Sequence, residues 1–287
     1  MSCSPTSPPR CRVKPDRVAT SRPVRAELQF GTVHGRTYLG RQRTPHPFHI
    51  TRPFHLPGDP AGLATLYLQS SSGGLYGDDD LSLSVRLDAQ AYLHLTTQAA
   101  TVVHDAKGGL TQQAVRLEVG PGGFLEYLPD PLILFPGANC HTLVQLKLHE
   151  GAKAVIFDSF VAHDPMALGR SFERLSNCVS IGGASGPQLV DRMQASGSLW
   201  QRKGLGCIAT VWLAGCSDAD QIAEALAPVI ASAGTDIYLG IDTLPDRGLV
   251  GLRLMAPHGH QMSHILQRIA VAARLALTGW HSAARSK

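Results

Sequence analysis

The chain has no CxxC pair: its six cysteines stand apart at positions 3, 11, 140, 178, 207 and 216. Spacing that wide excludes a compact disulfide scaffold or a zinc ribbon, and it suits a reducing cytoplasm, the expected location. No run of about 18 apolar residues occurs, so no membrane-spanning helix is expected. Nor does the N-terminus carry the apolar core of a secretory signal. Charge is scarce as well, with 17% Asp, Glu, Lys and Arg against 44% hydrophobic residues. That balance belongs to a globular chain and excludes a disordered one. The basic residues Arg10, Arg12, Lys14, Arg17, Arg22 and Arg25 cluster early, yet no aromatic residue interleaves with them. Nucleic-acid binding therefore lacks a motif, and a flexible basic arm is expected over 1–24.

Catalytic signatures are missing too. GGLYGDDD (73–80) has three glycines and three carboxylates, but no lysine, and a strand rather than a helix follows it. A phosphate loop needs amides converging at a helix start, so that reading fails. A calcium loop needs spaced oxygens and a terminal Glu; Asp78, Asp79 and Asp80 are consecutive. A sharp turn whose carboxylates cap backbone N–H groups remains. His260 and His264 are four apart but lack the HExxH glutamate, and no GxSxG occurs. Cys207 and Cys216 sit among apolar residues and read as inert thiols.

What is present is alternation. Leu81, Leu83, Val85 and Leu87 recur at the two-residue period of a half-buried strand. LSVRLDAQAYLHL (83–95), VRLEVGPGGFLEY (115–127) and VQLKLHEGAKAVI (144–156) share a frame of strand, four-residue corner and strand. Leu87, Val119 and Leu148 are equivalent positions in that frame. A recurrence near thirty residues predicts stacked strand pairs, as two facing sheets or a β-helix-like coil. The expected fold is mainly β: stacked antiparallel or β-helix-like sheets in two layers, with a few helices toward the C-terminus. A helix capped by Ser217 and another over 262–277 ending at Gly279 are predicted, with strands at 237–243 and 249–255. Residues 25–287 are expected to form a single domain.

Three blocks carry a resemblance: SSSGGLYGDDDLSLSVRL (70–87), AYLHLTTQAATVVH (91–104) and FLEYLPDPLILFPGA (124–138). Together and in that order they resemble the urease accessory protein D family, also called the H form. Gly73, Gly74, Gly77 and Asp78 match its glycine–aspartate turn. Thr96, Thr97, Gln98, Ala99 and Thr101 match its threonine–glutamine strand, and Glu126, Pro129 and Phe135 match its third block. The resemblance implies a non-catalytic scaffold that binds apo-urease and an all-helical accessory protein, which recruits a nickel-carrying GTPase. It also implies no permanently bound cofactor, with Ni²⁺ in transit along a polar internal route. Asp78, Glu126 and Asp130 are the candidate carboxylates of that route, with Thr96 and Gln98 expected to share a strand face. The sequence departs from the family where Val102-Val103-His104 replaces a lysine and tyrosine, and where His163 and Asp164 replace a Gly-Arg pair. Two alternatives stand beside this: a β-helical hydrolase or isomerase, of carbohydrate-active type, pairing Asp78 with Glu126, and a generic β-rich binding module.

Overall fold

The computed structural model describes residues 23–283 apart from 203 and 205. Most of the basic arm expected over 1–24 therefore lies outside the described residues. Strands β1 (Val24–Val33) and β2 (Arg36–Arg43) make a hairpin, and β3 (Phe48–Ile50) leads to β4 (Leu63–Ser70). Three coils follow. In the first, β5 (Asp80–Leu87) turns into β6 (Tyr92–Thr97); the short β7 (Thr101–Val103) then leads onward. In the second, β8 (Thr111–Val119) turns into β9 (Phe124–Leu128), before β10 (Leu132–Leu134). In the third, β11 (Asn139–Leu148) turns into β12 (Lys153–Ala162). The chain closes with β13 (Arg174–Gly183), β14 (Gly186–Ser196), α1 (Gly197–Arg202), β15 (Cys207–Ala214), α2 (Ala219–Ala231), β16 (Tyr238–Leu244), β17 (Leu249–Ala256) and α3 (Gly259–Thr278).

Each coil gives its first strand to one sheet and its second to the other. Sheet A runs β14-β13-β11-β8-β5-β1-β2, and sheet B runs β16-β17-β15-β12-β9-β6-β4-β3. The central strands of both pair in parallel, as a coil demands: Leu87 lies opposite Val119, and Val119 opposite Leu148. The equivalence read from the repeat is thus a hydrogen-bonded ladder. Antiparallel pairing is confined to the flanks, in β1–β2, β3–β4, β13–β14 and the β12–β15–β17–β16 series.

The corners explain the regular step. Their third residues, Gln90, Gly122 and Gly151, all take left-handed φ values, of 58°, 62° and 65°. Glycine accepts that conformation freely, whereas Gln90 holds it against a steric cost. The corner amides also stack: Gln90 N–H donates to the Pro121 carbonyl and Gly122 N–H to that of Glu150, each at 2.9 Å.

Between the sheets lies a core that includes Phe30, Leu66, Leu95, Leu117 and Ile156, all within 2% of full burial. A second core joins sheet B to α2 and α3 through Val155, Leu213, Leu252, Ile265 and Ile269. The helices therefore form a third layer, and each fully buried Leu or Ile contributes roughly 1.5–3 kcal/mol to holding it. Helix α2 is capped by Asp218, one residue beyond the predicted Ser217, and its carboxylate accepts from Gln221 N–H at 3.0 Å. Helix α3 ends where predicted, with Gly279 at φ 73°. Lys153 Nζ donates to the Leu277 carbonyl at 2.6 Å, tying the last turn to sheet B. Among the described residues no helix is long and apolar enough to cross a membrane.

Candidate functional site

At one end of the coils the loop 73–80 is a turn built by its own polar groups. Asp79 Oδ2 accepts from Tyr76 N–H at 2.8 Å. Asp78 is exposed, sits at φ 67° and points Oδ1 toward Leu110 N–H at 3.5 Å. A Cβ on Gly74 would strike the Val102 carbonyl, and one on Gly77 would strike that of Ala106. These glycines thus let successive loops pack backbone to backbone. The same edge carries a file of rings: Tyr76 stacks on His104 at 4.5 Å, His104 meets Phe135 at 5.6 Å, and Phe135 meets His163 at 5.8 Å.

Three adjoining cavities begin behind that turn. The first, about 310 Å³, is lined by Gly73, Gly74, Thr97, Gln98, Gln113 and Tyr127. The second, about 50 Å³, lies between the sheets, and Thr97, Gln113 and Tyr127 wall it too. Thr142, Asp130 and Asp158 complete its polar lining. The third, about 410 Å³, lies under α3 and shares Pro129 and Asp130 with the second. A row of cavities with common walls therefore spans the body from the glycine turn to the helical layer.

Asp158 sits at the middle of the row. Its Oδ2 accepts from Asn177 Nδ2 at 2.5 Å, and the same amide donates to Thr142 Oγ1 at 2.8 Å. Burial pushes the Asp158 carboxyl up to about 7, with the Asn177 bond opposing and the charge of Asp191 adding to the rise. A residual exposure remains, directed at the small cavity. Burial and Asp158 together push the nearby Cys140 thiol up to about 12, so no thiolate competes there. Asp130 binds Thr97 twice: its Oδ2 accepts from Thr97 Oγ1 at 3.1 Å, and its N–H donates to that hydroxyl at 2.8 Å.

Below the third cavity lies a buried ionic cluster. Arg274, 1% exposed, donates Nε to Glu126 Oε1 at 2.7 Å and Nη2 to Oε2. Its Nη1 reaches Asp59 Oδ1 at 2.8 Å, and that oxygen also accepts from Ala283 N–H at 2.9 Å. His94 Nδ1 lies 2.7 Å from Glu126 Oε2, and since a carboxylate only accepts, the imidazole is the donor. Burial raises the Glu126 pKa, but the bonds from Arg274 and His94 outweigh it and bring the value down to about 2. Glu126 is thus a fully engaged anchor for α3.

The predicted residues separate accordingly. Gly73, Gly74, Thr97, Gln98, Thr96, Glu126, Pro129 and Asp130 all line the row of cavities; Asp78 and Gly77 lie at its outer end. Thr96 and Gln98 do not share a face. Thr96 looks into the third cavity and donates to the Leu128 carbonyl at 2.6 Å, while Gln98 lies beyond the end of β6, bonded to Gln69. Phe135 is held between His104 and His163, at the loop edge rather than in a cavity. Asp164 builds the next turn, accepting from Leu168 and Arg170 N–H groups at 2.8 and 2.9 Å. Sequence reasoning missed Asp158, Asn177, His94, Arg274 and Asp59. For two of them a signal exists: a lone carboxylate in VIFDSFVA and a lone cation in AVAARLAL each interrupt an apolar run. Among the described residues no group of three or more His, Cys, Asp or Glu converges as a metal cage would.

Residues 23–286 match the family model described as UreD urease accessory protein. The chain is 36% identical over 280 residues to urease accessory protein UreD 1 of Methylorubrum populi, covering 96% of this chain and 95% of that protein. It is 38% identical over 248 residues to UreD 1 of Methylorubrum extorquens, covering 84% of each. With UreD 3 of a Bradyrhizobium species it shares 36% over 262 residues, 90% of this chain and 93% of that protein.

Proposed function

The chain belongs to the UreD urease accessory protein family, and from that premise we propose that it is a non-catalytic scaffold of urease maturation, working in the cytoplasm. In this reading it binds apo-urease and an all-helical accessory protein, and through the latter a nickel-carrying GTPase. Nickel is cargo here, and its route is the row of cavities from the glycine turn to the space beneath α3. The observation that carries the reading is the polar wall shared from cavity to cavity, with Thr97 and Asp130 at the junctions and Asp158 at the centre.

The chemistry suits transfer rather than storage. Carboxylate and hydroxyl oxygens hold a borderline cation loosely, whereas thiolate and imidazole cages retain it. With its pKa near neutrality, Asp158 exchanges a proton for a passing cation and recovers it on release. Glu126 serves differently: paired with Arg274, it fixes the helix that roofs the third cavity. The paired-carboxylate hydrolase gains no support, because both Glu126 oxygens are occupied and Asp78 lies out at the loop end.

The test is co-expression with urease subunits and the helical accessory protein, followed by pull-down and a nickel-dependent urease assay. Asp158→Ala and Asp130→Ala are expected to leave complex recovery intact while activation falls on the order of tenfold. Full activation by both variants would overturn the passage. Failure of the unaltered chain to join either partner, with assembly controls working, would overturn the scaffold itself.

A further inference from the structure

The outer face of sheet A gathers cations into one groove. Residues 1–22 hold five Lys or Arg and one Asp, and 284–287 hold Arg285 and Lys287. Against a chain total of +4, these ends exceed the whole, so the body between them is net negative. Yet a groove of about 580 Å³ on sheet A is lined by Arg41, Arg86, Arg116 and Lys147, against Glu27 and Glu118. The register shows how they assemble. Arg41, Gln29, Arg86, Glu118 and Lys147 lie opposite one another across five strands. The neighbouring rung is Glu27, Ser84, Arg116, Gln145 and Ser180.

The two anions are answered locally. Glu118 accepts from Lys147 at 2.9 Å and from His149 at 2.8 Å, and Glu27 lies 3.9 Å from Arg43. Arg41 and Arg116, both exposed, make no side-chain hydrogen bond or ion pair among the described residues. Helices α2 and α3 pack on sheet B rather than over this groove. Gly182, Gly183 and Gly186 line the far end of the groove; Gly182 is packed against its own hairpin at Gly186, and Gly186 itself faces open space.

We infer that this face docks an acidic segment of a protein partner. The inference goes beyond the nickel passage and does not depend on it. Two open guanidiniums offer fork-shaped donors that match carboxylates. The amide of Gln145 and the hydroxyls of Ser84 and Ser180 suit peptide groups between those carboxylates, while the Gln29 amide is already donated to Asp88. A nucleic-acid strand fits less well. Its unbroken phosphate charge would meet Glu27 and Glu118, and the groove offers no aromatic ring for a base to stack on.

The experiment measures fluorescence anisotropy of a short labelled peptide of alternating Glu and Ser, with an oligothymidylate of equal charge as the rival probe. Saturable, salt-sensitive binding of the peptide is expected, weakened on the order of tenfold in Arg41→Glu with Arg116→Glu. Arg268→Glu, on α3, is expected to leave it unchanged. Should the double reversal fail to fold, Arg41→Gln with Arg116→Gln carries the same test. No binding, binding indifferent to the groove substitutions, or tighter binding of the oligothymidylate would each overturn the inference. So would salt-sensitive self-association abolished by the reversal, which would assign the face to a second copy of the chain.

Discussion

In the third coil, β11 places Gln145 and Lys147 in water, while β12, its continuation, places Val155 and Phe157 beneath the helices. The two strands are joined by one corner and share one inner core, yet their outer sides obey opposite rules. Sheet A alternates, with Gln145 and Lys147 outward and Val144 and Leu146 inward, broken on the inner side where Gln113, Thr142 and Asn177 face the space between the sheets. The central strands of sheet B are buried on both sides. Glu126 and Asp158 are hydrogen-bonded there, while Thr65, Ser159 and Trp212 each keep a buried polar side-chain atom without a partner among the described residues. The comparison teaches where each sheet keeps its charge. On A the charged groups are solvated and replaceable, so their value lies in what they meet. On B, Arg253 and Asp242 lie out on the flanking strands, while the central Glu126 is buried with its partners and holds the layers together.

The sharpest way to break this contrast is Arg274→Met. It removes the guanidinium that Glu126 and Asp59 share in a buried site and should cost about 3–5 kcal/mol in urea unfolding. Adding Glu126→Gln should recover part of that loss; no recovery would mean that the helix is held by packing alone.

A smaller effect concerns the space between the sheets. Asp158 stays protonated in the folded chain up to about pH 7, whereas an ordinary Asp ionises near 3.8. Across that interval the folded state keeps a proton that the unfolded state has lost, so stability declines as pH rises and levels off above it. Asp158→Asn should remove this contribution to the slope and be the more stable form above neutrality. Parallel stability–pH curves for the two proteins would contradict the buried neutral carboxyl.

The smallest effect belongs to the wet face. Gln145→Ala should shift stability by no more than about 0.5 kcal/mol in the same urea assay. A larger loss would show that sheet A's outer side contributes to the fold and would erase the contrast.

These faces were unequally legible in the sequence. The coil frame could be read because Leu87, Val119 and Leu148 precede corners of similar chemistry, and those residues do pair. Strand direction could not, since parallel and antiparallel strands produce the same two-residue period. The glycine turn was recognisable by composition, and Asp79 caps Tyr76 N–H as expected, with Asp78 reaching Leu110 N–H at 3.5 Å. Asp158, Arg274 and Asp59 escaped because their meaning is relational. Arg274 meets partners 148 and 215 residues away, and no local pattern encodes such a meeting. Gln98 fell outside its predicted face because β6 ends one residue earlier, at Thr97.

That long reach also sets a timetable for biosynthesis. A ribosome delivers Asp59 and Glu126 long before Arg274, so every nascent intermediate lacks the cation that both carboxylates need. The stacked coils can begin to form during synthesis, but their second side cannot close until the final helix has left the exit tunnel. Completion of the fold is thereby made to wait for completion of the chain, and a product cut short before α3 lacks the one guanidinium that Glu126 and Asp59 share.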